Sequence, residues 1–174
     1  DFTINSMAWD PITKETIDPF GGVEDLENKV LSATSDHFSE DPLRVLRGMQ
    51  FCGRFGLTAD EKTIQMCRLM AGTTLPKERI WGEWWKWATK STAPSMGLRF
   101  LEKTWMPRDF RAMCVTPQDR KWHPEGNVWE HTLLAVDKAA SSGKSDEERA
   151  IIVFATLLHD IGKPSTTDMQ PDGS

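Results

Sequence analysis

No stretch of this chain is apolar for long enough to cross a bilayer, and no segment has the form of a secretory signal. No membrane partner is therefore expected. Cysteine is scarce: Cys52, Cys67 and Cys114 are odd in number and scattered, which argues against a disulfide framework and for reduced thiols in a cytoplasmic protein. Positive charge is not in excess either. With 21 Lys and Arg against 26 Asp and Glu, the net charge of −5 argues against a generally basic nucleic-acid surface and leaves only local patches. Tyr is absent beside eight Trp, a bias of composition with no functional reading. Internal repeats and low-complexity segments are lacking. So is an initiator Met, and the opening DFTINSMAWD reads as the middle of a longer protein. What is present is ordinary for a globular chain: 174 residues, 39% hydrophobic and 27% charged, enough for one sizeable core or two small ones.

The most informative stretch is Ala150 to Pro164, AIIVFATLLHDIGKP. Its apolar run is too short for periodicity to separate a buried helix from a buried strand, so the flanks decide. Ser145 followed three residues later by Glu148 has the form of a capping box and predicts a helix from Asp146; Gly162 and Pro164 supply a stop. That helix carries His159 and Asp160 in its last turn. Adjacent side chains on a helix diverge by about 100°, so both can reach one ion lying over the angle between them. A buried Asp is costly unless paired or bound to a metal, and imidazole with carboxylate suits a divalent ion. Upstream, Asn127 and Glu130 mark another helix start and Gly143 a stop. Val128, Thr132, Ala135, Val136 and Ala139 form an apolar stripe with His131 beside it. Two consecutive helices would then present His131 against His159 and Asp160, either as a metal centre or as a core histidine hydrogen-bonded to its neighbour.

WEHT at Trp129–Thr132 with LLHDIGKP at Leu157–Pro164 resembles the HD domain, a helical metal-dependent phosphohydrolase fold. The resemblance implies metal ligation by His131, His159 and Asp160, with His159 and Asp160 as the catalytic candidates and a divalent transition metal or Mg²⁺ as cofactor. HD domains complete the site with a further Asp on a later helix, and neither Asp168 nor Asp172 is a convincing substitute at its distance. The resemblance covers the first part of such a domain. Lys163 is either a phosphate contact or an exposed cation near a helix C-terminus.

Taken in order, the chain opens with short extended segments around Phe2, Ile4, Met7 and Trp9, then Thr13 to Asp18, joined by a turn at Asp10-Pro11. DPFGG at Asp18–Gly22 is a turn, and Val23 to Val30 is compatible with a short helix. In SEDPLRVLRGMQFCGRFGL, Ser39 is a plausible N-cap and Pro42 fits the first turn, predicting a helix to about Phe55 that stops at Gly56. Asp41, Arg44, Gly48 and Phe51 would share one face. That face offers a carboxylate acceptor and a guanidinium fork beside a glycine gap, which suits a nucleobase edge; the alternative is an ion pair on a solvated face.

DFTINSMA at Asp1–Ala8, DPFGG, EDPLRVLR at Glu40–Arg47 and ERIWGEW at Glu78–Trp84 occur in this order and together resemble the class II tRNA nucleotidyltransferases, the CCA-adding enzymes and their poly(A) polymerase relatives. In that family the E-D-x-x-R element recognises the base of incoming CTP or ATP, and the matching positions are Asp41 and Arg44. Asp1, Asn5 and Arg47 are nucleotide-pocket candidates by the same resemblance. Some bacterial members carry an HD domain after the neck, so both resemblances fit one protein. The family's polymerising Gly-Ser element and its D-x-D carboxylate pair, which holds Mg²⁺ for nucleotidyl transfer, would precede residue 1. The chain as given is therefore not expected to polymerise by itself.

Beyond these motifs, Asp60 to Met70 predicts a helix with Ile64, Cys67, Leu69 and Met70 mostly inward. Pro76 starts a helix bearing Trp81, Trp84, Trp85 and Trp87, whose stripe is either core or a base-stacking surface. Glu78 and Arg79 can brace the preceding helix through ion pairs. Ser95 to Lys103 reads as helical, with Met96, Leu98, Phe100 and Leu101 packing. Arg108, Arg111, Arg120 and Lys121 form a modest basic group, either against tRNA phosphate or in a solvated loop. His123, in HPEGNVWEHT, corresponds to a loop His of HD-bearing members, where it implies a phosphate contact; alone it reads as an exposed loop residue.

The expected architecture is mainly α: residues 1–36 as the end of an α/β nucleotidyltransferase head, 37–115 as a helical neck that binds RNA and the nucleotide base, and 116–174 as the start of an all-helical HD domain. The resemblance implies CCA addition to the tRNA 3′ end from CTP and ATP, with an HD phosphohydrolase activity. Two rivals are a divergent HD phosphohydrolase with a non-polymerising nucleotide- and tRNA-binding region, and a non-catalytic binding module.

Overall fold

The computed structural model describes residues 1–143 and 145–167. The chain is mainly helical and divides into two compact units, Asp1–Trp105 and Met106–Ser174.

The first unit begins with a single 3₁₀ turn at Thr3–Asn5, then strands β1 (Ala8–Trp9) and β2 (Thr16–Ile17), which pair antiparallel around the turn at Asp10-Pro11. A short helix α1 (Gly22–Glu27) leads to strand β3 (Val30–Leu31). A second 3₁₀ segment, Asp36–Glu40, precedes helix α2 (Leu43–Phe55). Strand β4 (Thr58–Ala59) returns beside β3 in parallel, and helices α3 (Glu61–Leu69), α4 (Lys77–Lys90) and α5 (Pro94–Lys103) complete the unit.

The start of α2 differs from the expected one. Ser39 lies inside the 3₁₀ segment, where its hydroxyl donates to the Asp36 carbonyl at 3.2 Å, and it caps nothing. Asp41 is extended, with φ −126° and ψ 102°, because the ring of the following Pro42 disfavours helical backbone in the residue before it. The helix can begin only after Asp41, and Pro42, with φ −61° and ψ −17°, leads into it. Its far end is as expected: Gly56 adopts φ 66°, left-handed backbone that glycine enters without steric cost, and its N–H closes on the Cys52 carbonyl at 3.0 Å.

Helix α2 lies against α5 and α4, and burial of Val45, Leu46, Met49 and Cys52 makes it the centre of the core. The glycine gap expected beside Arg44 is not open. Gly48 is filled by the Phe100 ring, to which an added Cβ would come within 2.6 Å. Phe2 is fully buried against Phe38 and Phe51, with ring centroids at 5.0 and 5.7 Å. In α3, Ile64, Cys67 and Met70 point inward, whereas Leu69 is 86% exposed, since it sits about 100° around the helix from Met70. The Trp cluster is split: Trp87 is fully buried and donates from its indole N–H to the Pro94 carbonyl at 3.0 Å, while Trp81 is exposed. Burial pushes the Cys52 and Cys67 thiols up to about 12, so neither is a nucleophile at neutral pH.

The second unit contains α6 (Arg108–Val115), α7 (Val128–Ala139), α8 (Asp146–Leu158) and a single-turn α9 (Lys163–Thr166). Both expected caps are present. Asn127 Oδ1 accepts from the Glu130 N–H at 2.8 Å, and Ser145 Oγ accepts from that of Glu148 at 3.2 Å. Val128, Leu133 and Val136 of α7 are buried, as are Val153 and Leu157 of α8, and Trp129 stacks on Phe110 at 5.6 Å. Pro164 does not end α8. That helix stops at Leu158, a turn follows, and Pro164 occupies the first turn of α9, where its missing N–H costs nothing. Among the described residues no helix is long and apolar enough to cross a membrane.

Gly97 on α5 faces α2 so closely that an added Cβ would strike the Met49 backbone oxygen and come within 3.0 Å of the Trp87 indole. Neither neighbour is a flexible side-chain end. Gly97→Ala is expected to destabilise the first unit by about 1–3 kcal/mol, the usual cost of overpacking, read as a lower urea midpoint; an unchanged midpoint would mean that α5 can retreat from α2 at no cost.

Candidate metal centre and nucleotide-recognition residues

His131 sits on the first turns of α7, His159 caps the C-terminus of α8, and Asp160 follows in the turn. One ligand atom from each of the three lies within 4.8 Å of the others, and the His131 and His159 ring centroids are 5.5 Å apart. The sequence places His159 and Asp160 in the last helical turn; the structure puts them just past it, where the chain folds back. In that fold-back the Lys163 N–H reaches the Asp160 carbonyl at 3.0 Å and the Lys163 ammonium reaches Asp160 Oδ2 at 2.7 Å. Asp160 is buried, and His159 Nε2 lies 3.2 Å from the same oxygen.

The protons can be placed from the partners. His159 Nδ1 is 2.6 Å from the Thr156 carbonyl, which can only accept, so Nδ1 carries a hydrogen, and in the neutral ring Nε2 is the nitrogen with the lone pair. His131 Nδ1 is 2.6 Å from Glu125 Oε1, and the same logic leaves His131 Nε2 available. Two imidazole lone pairs and a buried carboxylate are a donor set suited to a divalent transition metal. The residues fit such an ion. Asp168 and Asp172 lie outside the described residues.

Glu125 escaped the sequence reading. Its Oε1 also meets His123 Nδ1 at 3.2 Å, and the two His rings stand edge to face at 4.7 Å. Hydrogen bonds from its own backbone amide and from His131 and His123 hold its carboxyl below the usual range, against the opposing effect of desolvation. The available signal was the His-x-Glu spacing of His123 and Glu125, four residues ahead of the W-E-H motif. His123 is therefore not a free loop residue. With Nδ1–H on Glu125, it donates to a phosphate only when Nε2 is protonated as well. Nearby, Arg108, Asp109, Ala112, Ile161, Pro164 and Ser165 line a cleft of about 320 Å³ between α6 and α9.

In the first unit the nucleotide candidates fall into two groups along α2. Arg47 forks onto Asp1, with Nη2–Oδ2 at 2.6 Å and Nε–Oδ1 at 3.3 Å, and Asn5 Nδ2 donates to the same carboxylate at 2.5 Å. Thus Asp1, Asn5 and Arg47 meet. One turn earlier, Asp41 Oδ2 accepts from Arg79 Nη2 at 2.8 Å and Asp41 Oδ1 from the Leu43 N–H at 3.1 Å. Arg79 thereby braces the approach to α2 and not the preceding helix α3 that was expected, and Glu78 is exposed. Arg44 Nη1 donates to the carbonyls of His37 and Phe38 at 2.7 and 2.8 Å, with its guanidinium over the Phe38 ring. Asp41 and Arg44 are not joined to each other by an ion pair. Both are anchored by third groups, and each keeps hydrogen-bonding capacity: carboxylate lone pairs on Asp41, Nε and Nη2 donors on Arg44.

Residues 1–32 match the Poly A polymerase head domain family. The chain is 37% identical over 187 residues to the Multifunctional CCA protein of Vibrio parahaemolyticus, an alignment covering 98% of this chain and 43% of that protein. Among solved structures it resembles a tRNA-processing enzyme with CTP, at TM-score 0.57 and 21% identity over 97% of this chain and 50% of that one. It also resembles the Thermotoga maritima CCA-adding enzyme complexed with tRNA, at TM-score 0.57 and 21% identity over 97% and 43%. At these identities the structural likeness speaks to the fold. The chain spans less than half the length of the curated relative it matches.

Burial raises the Asp41 carboxyl, but the Arg79 hydrogen bond, the Leu43 amide and the charges of Arg79 and Arg44 outweigh it and leave the group below the usual Asp value. A depressed native value means stability that is present above the unfolded value of about 3.9 and lost as pH falls through the native one. The melting temperature of Asp41→Asn is therefore expected to fall less steeply than wild type below about pH 4. The difference is small because solvent screens the partly exposed pair. Parallel curves would show that Arg79 does not perturb Asp41.

Proposed function

Because the chain belongs, along this stretch, to the CCA-adding tRNA nucleotidyltransferase family, we propose that its parent protein transfers CMP and AMP from CTP and ATP to the tRNA 3′ end, with release of pyrophosphate. The observation that carries this reading is 37% identity to a Multifunctional CCA protein across 98% of the chain. Residues 1–36 are then the end of the head, 37–115 the neck, and 116–174 the opening of an HD domain, in a cytoplasmic protein. The head's carboxylates, with Mg²⁺, would do the transfer, and the 174 residues alone would bind nucleotide without polymerising.

Asp41 and Arg44 read the base. Cytosine and adenine both present an exocyclic amine beside a ring nitrogen acceptor; guanine and uracil present a carbonyl beside an N–H. A carboxylate accepts from the amine and a guanidinium donates to the ring nitrogen, so the pair admits the first two bases and opposes the others. Arg79 supports this role by holding Asp41 ionised and oriented. Asp1, Asn5 and Arg47 form the adjoining wall of the nucleotide pocket.

The second unit hydrolyses phosphoesters such as 2′,3′-cyclic or terminal phosphates. The convergence of His131, His159 and Asp160 supports this reading. A divalent ion held there supplies Lewis-acid activation of water or of a phosphoryl oxygen. Lys163 and His123 contact the substrate phosphate, and Lys163 meanwhile balances the buried Asp160 charge.

Paired measurements on single variants test the reading. Asp41→Ala is expected to weaken CTP and ATP binding about 5- to 150-fold, the usual worth of a base contact, and to leave bound metal unchanged. His159→Ala is expected to lose metal and keep CTP affinity. Equal loss of both properties in either variant, or UTP bound as well as CTP by wild type, would overturn it.

A further inference from the structure

Glu125 stands at the end of a loop that is closed before it reaches α7. Pro117 and Asn127 form an antiparallel bridge, the Gln118 N–H donates to the Gly126 carbonyl at 3.0 Å, and Val128 N–H to the Thr116 carbonyl at 3.0 Å. Inside the loop, Asp119 accepts from the Lys121 amide through its side chain at 2.8 Å and from the His123 amide through its carbonyl at 2.8 Å. Asn127 then caps α7. The loop thus delivers a carboxylate, with its side chain only 14% exposed, onto the ring of His131.

His131 belongs to two clusters of metal-ligand chemistry, one with His159 and Asp160 and one with His123 and Glu125. Distances separate them. Two ligand atoms on one transition metal, each about 2.1 Å from the ion, stand roughly 3.0–3.4 Å apart. His131 Nδ1 and Glu125 Oε1 are 2.6 Å apart, which leaves no place for an ion between them and is the length of a charge-assisted hydrogen bond. Glu125 Oε1 is further engaged by His123.

We infer that Glu125 is the positioning residue of the metal centre: it fixes the proton of His131 on Nδ1, presents Nε2 to an ion shared with His159 and Asp160, and stands outside the ligand set itself. The inference rests on the reading of those three residues as metal ligands. A carboxylate behind an imidazole locks its rotation and tautomer and makes the ring a better donor; losing such a partner costs about 10- to 100-fold in metal affinity. His159 obtains the same service from a neutral group, the Thr156 carbonyl. The two imidazoles are therefore unequal, and His131 is the more electron-rich.

Co²⁺ binding to the 174-residue chain, followed by its visible absorption, tests this together with long-range ¹H–¹⁵N spectra of the metal-free histidines. Glu125→Ala is expected to weaken Co²⁺ binding about 10- to 100-fold and to shift His131 away from the Nδ1–H tautomer while His159 keeps its own. His159→Ala should abolish binding and His123→Ala change it little. Should Glu125→Ala not fold, the near-isosteric Glu125→Gln carries the test, with a smaller loss of affinity because the amide oxygen still accepts. Wild-type affinity and an unmoved His131 tautomer in the Glu125 variants would overturn the inference and leave the metal centre standing. Abolition by His123→Ala but not by His159→Ala would also overturn it, by moving the ion to the other cluster. Absence of Co²⁺ binding by wild type would instead remove the metal-centre reading itself.

Discussion

Asp160 is withdrawn from water at the turn after α8, and the groups around it are arranged as that burial requires. An ionised carboxylate in a poorly hydrated place is tolerated only beside positive charge or strong donors. Lys163 supplies the charge by folding back through a single turn, and His159 adds a polar neighbour. The same demand is met elsewhere. Arg79 answers Asp41, Arg47 and Asn5 answer Asp1, Lys86 answers the buried Glu83, and two histidines answer Glu125. Two of these matches, Arg79 with Asp41 and Arg47 with Asp1, join parts of the chain distant in sequence. Several of these carboxylates coincide with the positions to which function is assigned.

The two units meet this demand differently. In the first, the pairs of Asp1 and Asp41 lie at α2, which is tightly packed against α5 and α4 through Gly48, Gly53 and Gly97. Side chains anchored to such a helix have little room to wander. In the second unit, the site is built from helix ends and a closed loop. There precision comes from hydrogen bonds: Thr156 on one imidazole and Glu125 on the other.

Features governed by neighbours in sequence could be read without the structure. Asn127, Ser145 and Gly56 cap or stop their helices as expected, because a cap is decided within about four residues. The grouping of His131 with His159 and Asp160 was legible from a motif and two helix periods. What escaped depends on contacts distant along the chain or on competition between local rules. Pro42 does stand at the helix entry with helical backbone, but its effect on Asp41 moves the start of α2 away from Ser39. The glycine gap beside Arg44 could not be known to be full until Phe100, on another helix, was placed in it. Leu69 fell one position off the inward stripe of α3. Glu125 belongs to a loop whose closure no local periodicity encodes.

The parallel pairing of β3 with β4 gives α2 a mechanical setting of its own. Val30 and Leu31 lie beside Thr58 and Ala59, so the chain leaves and regains one short ladder with the whole helix in between. The helix is the middle of a closed circuit, not a rod held by one flank. Loosening either end must disturb the same few strand hydrogen bonds, and those bonds report on both ends at once. This topology is the kind that favours opening of residues 30 to 59 as one cooperative unit. Asp41, Arg44 and Arg47 all lie within it, so the three residues proposed to meet the nucleotide would be loosened together.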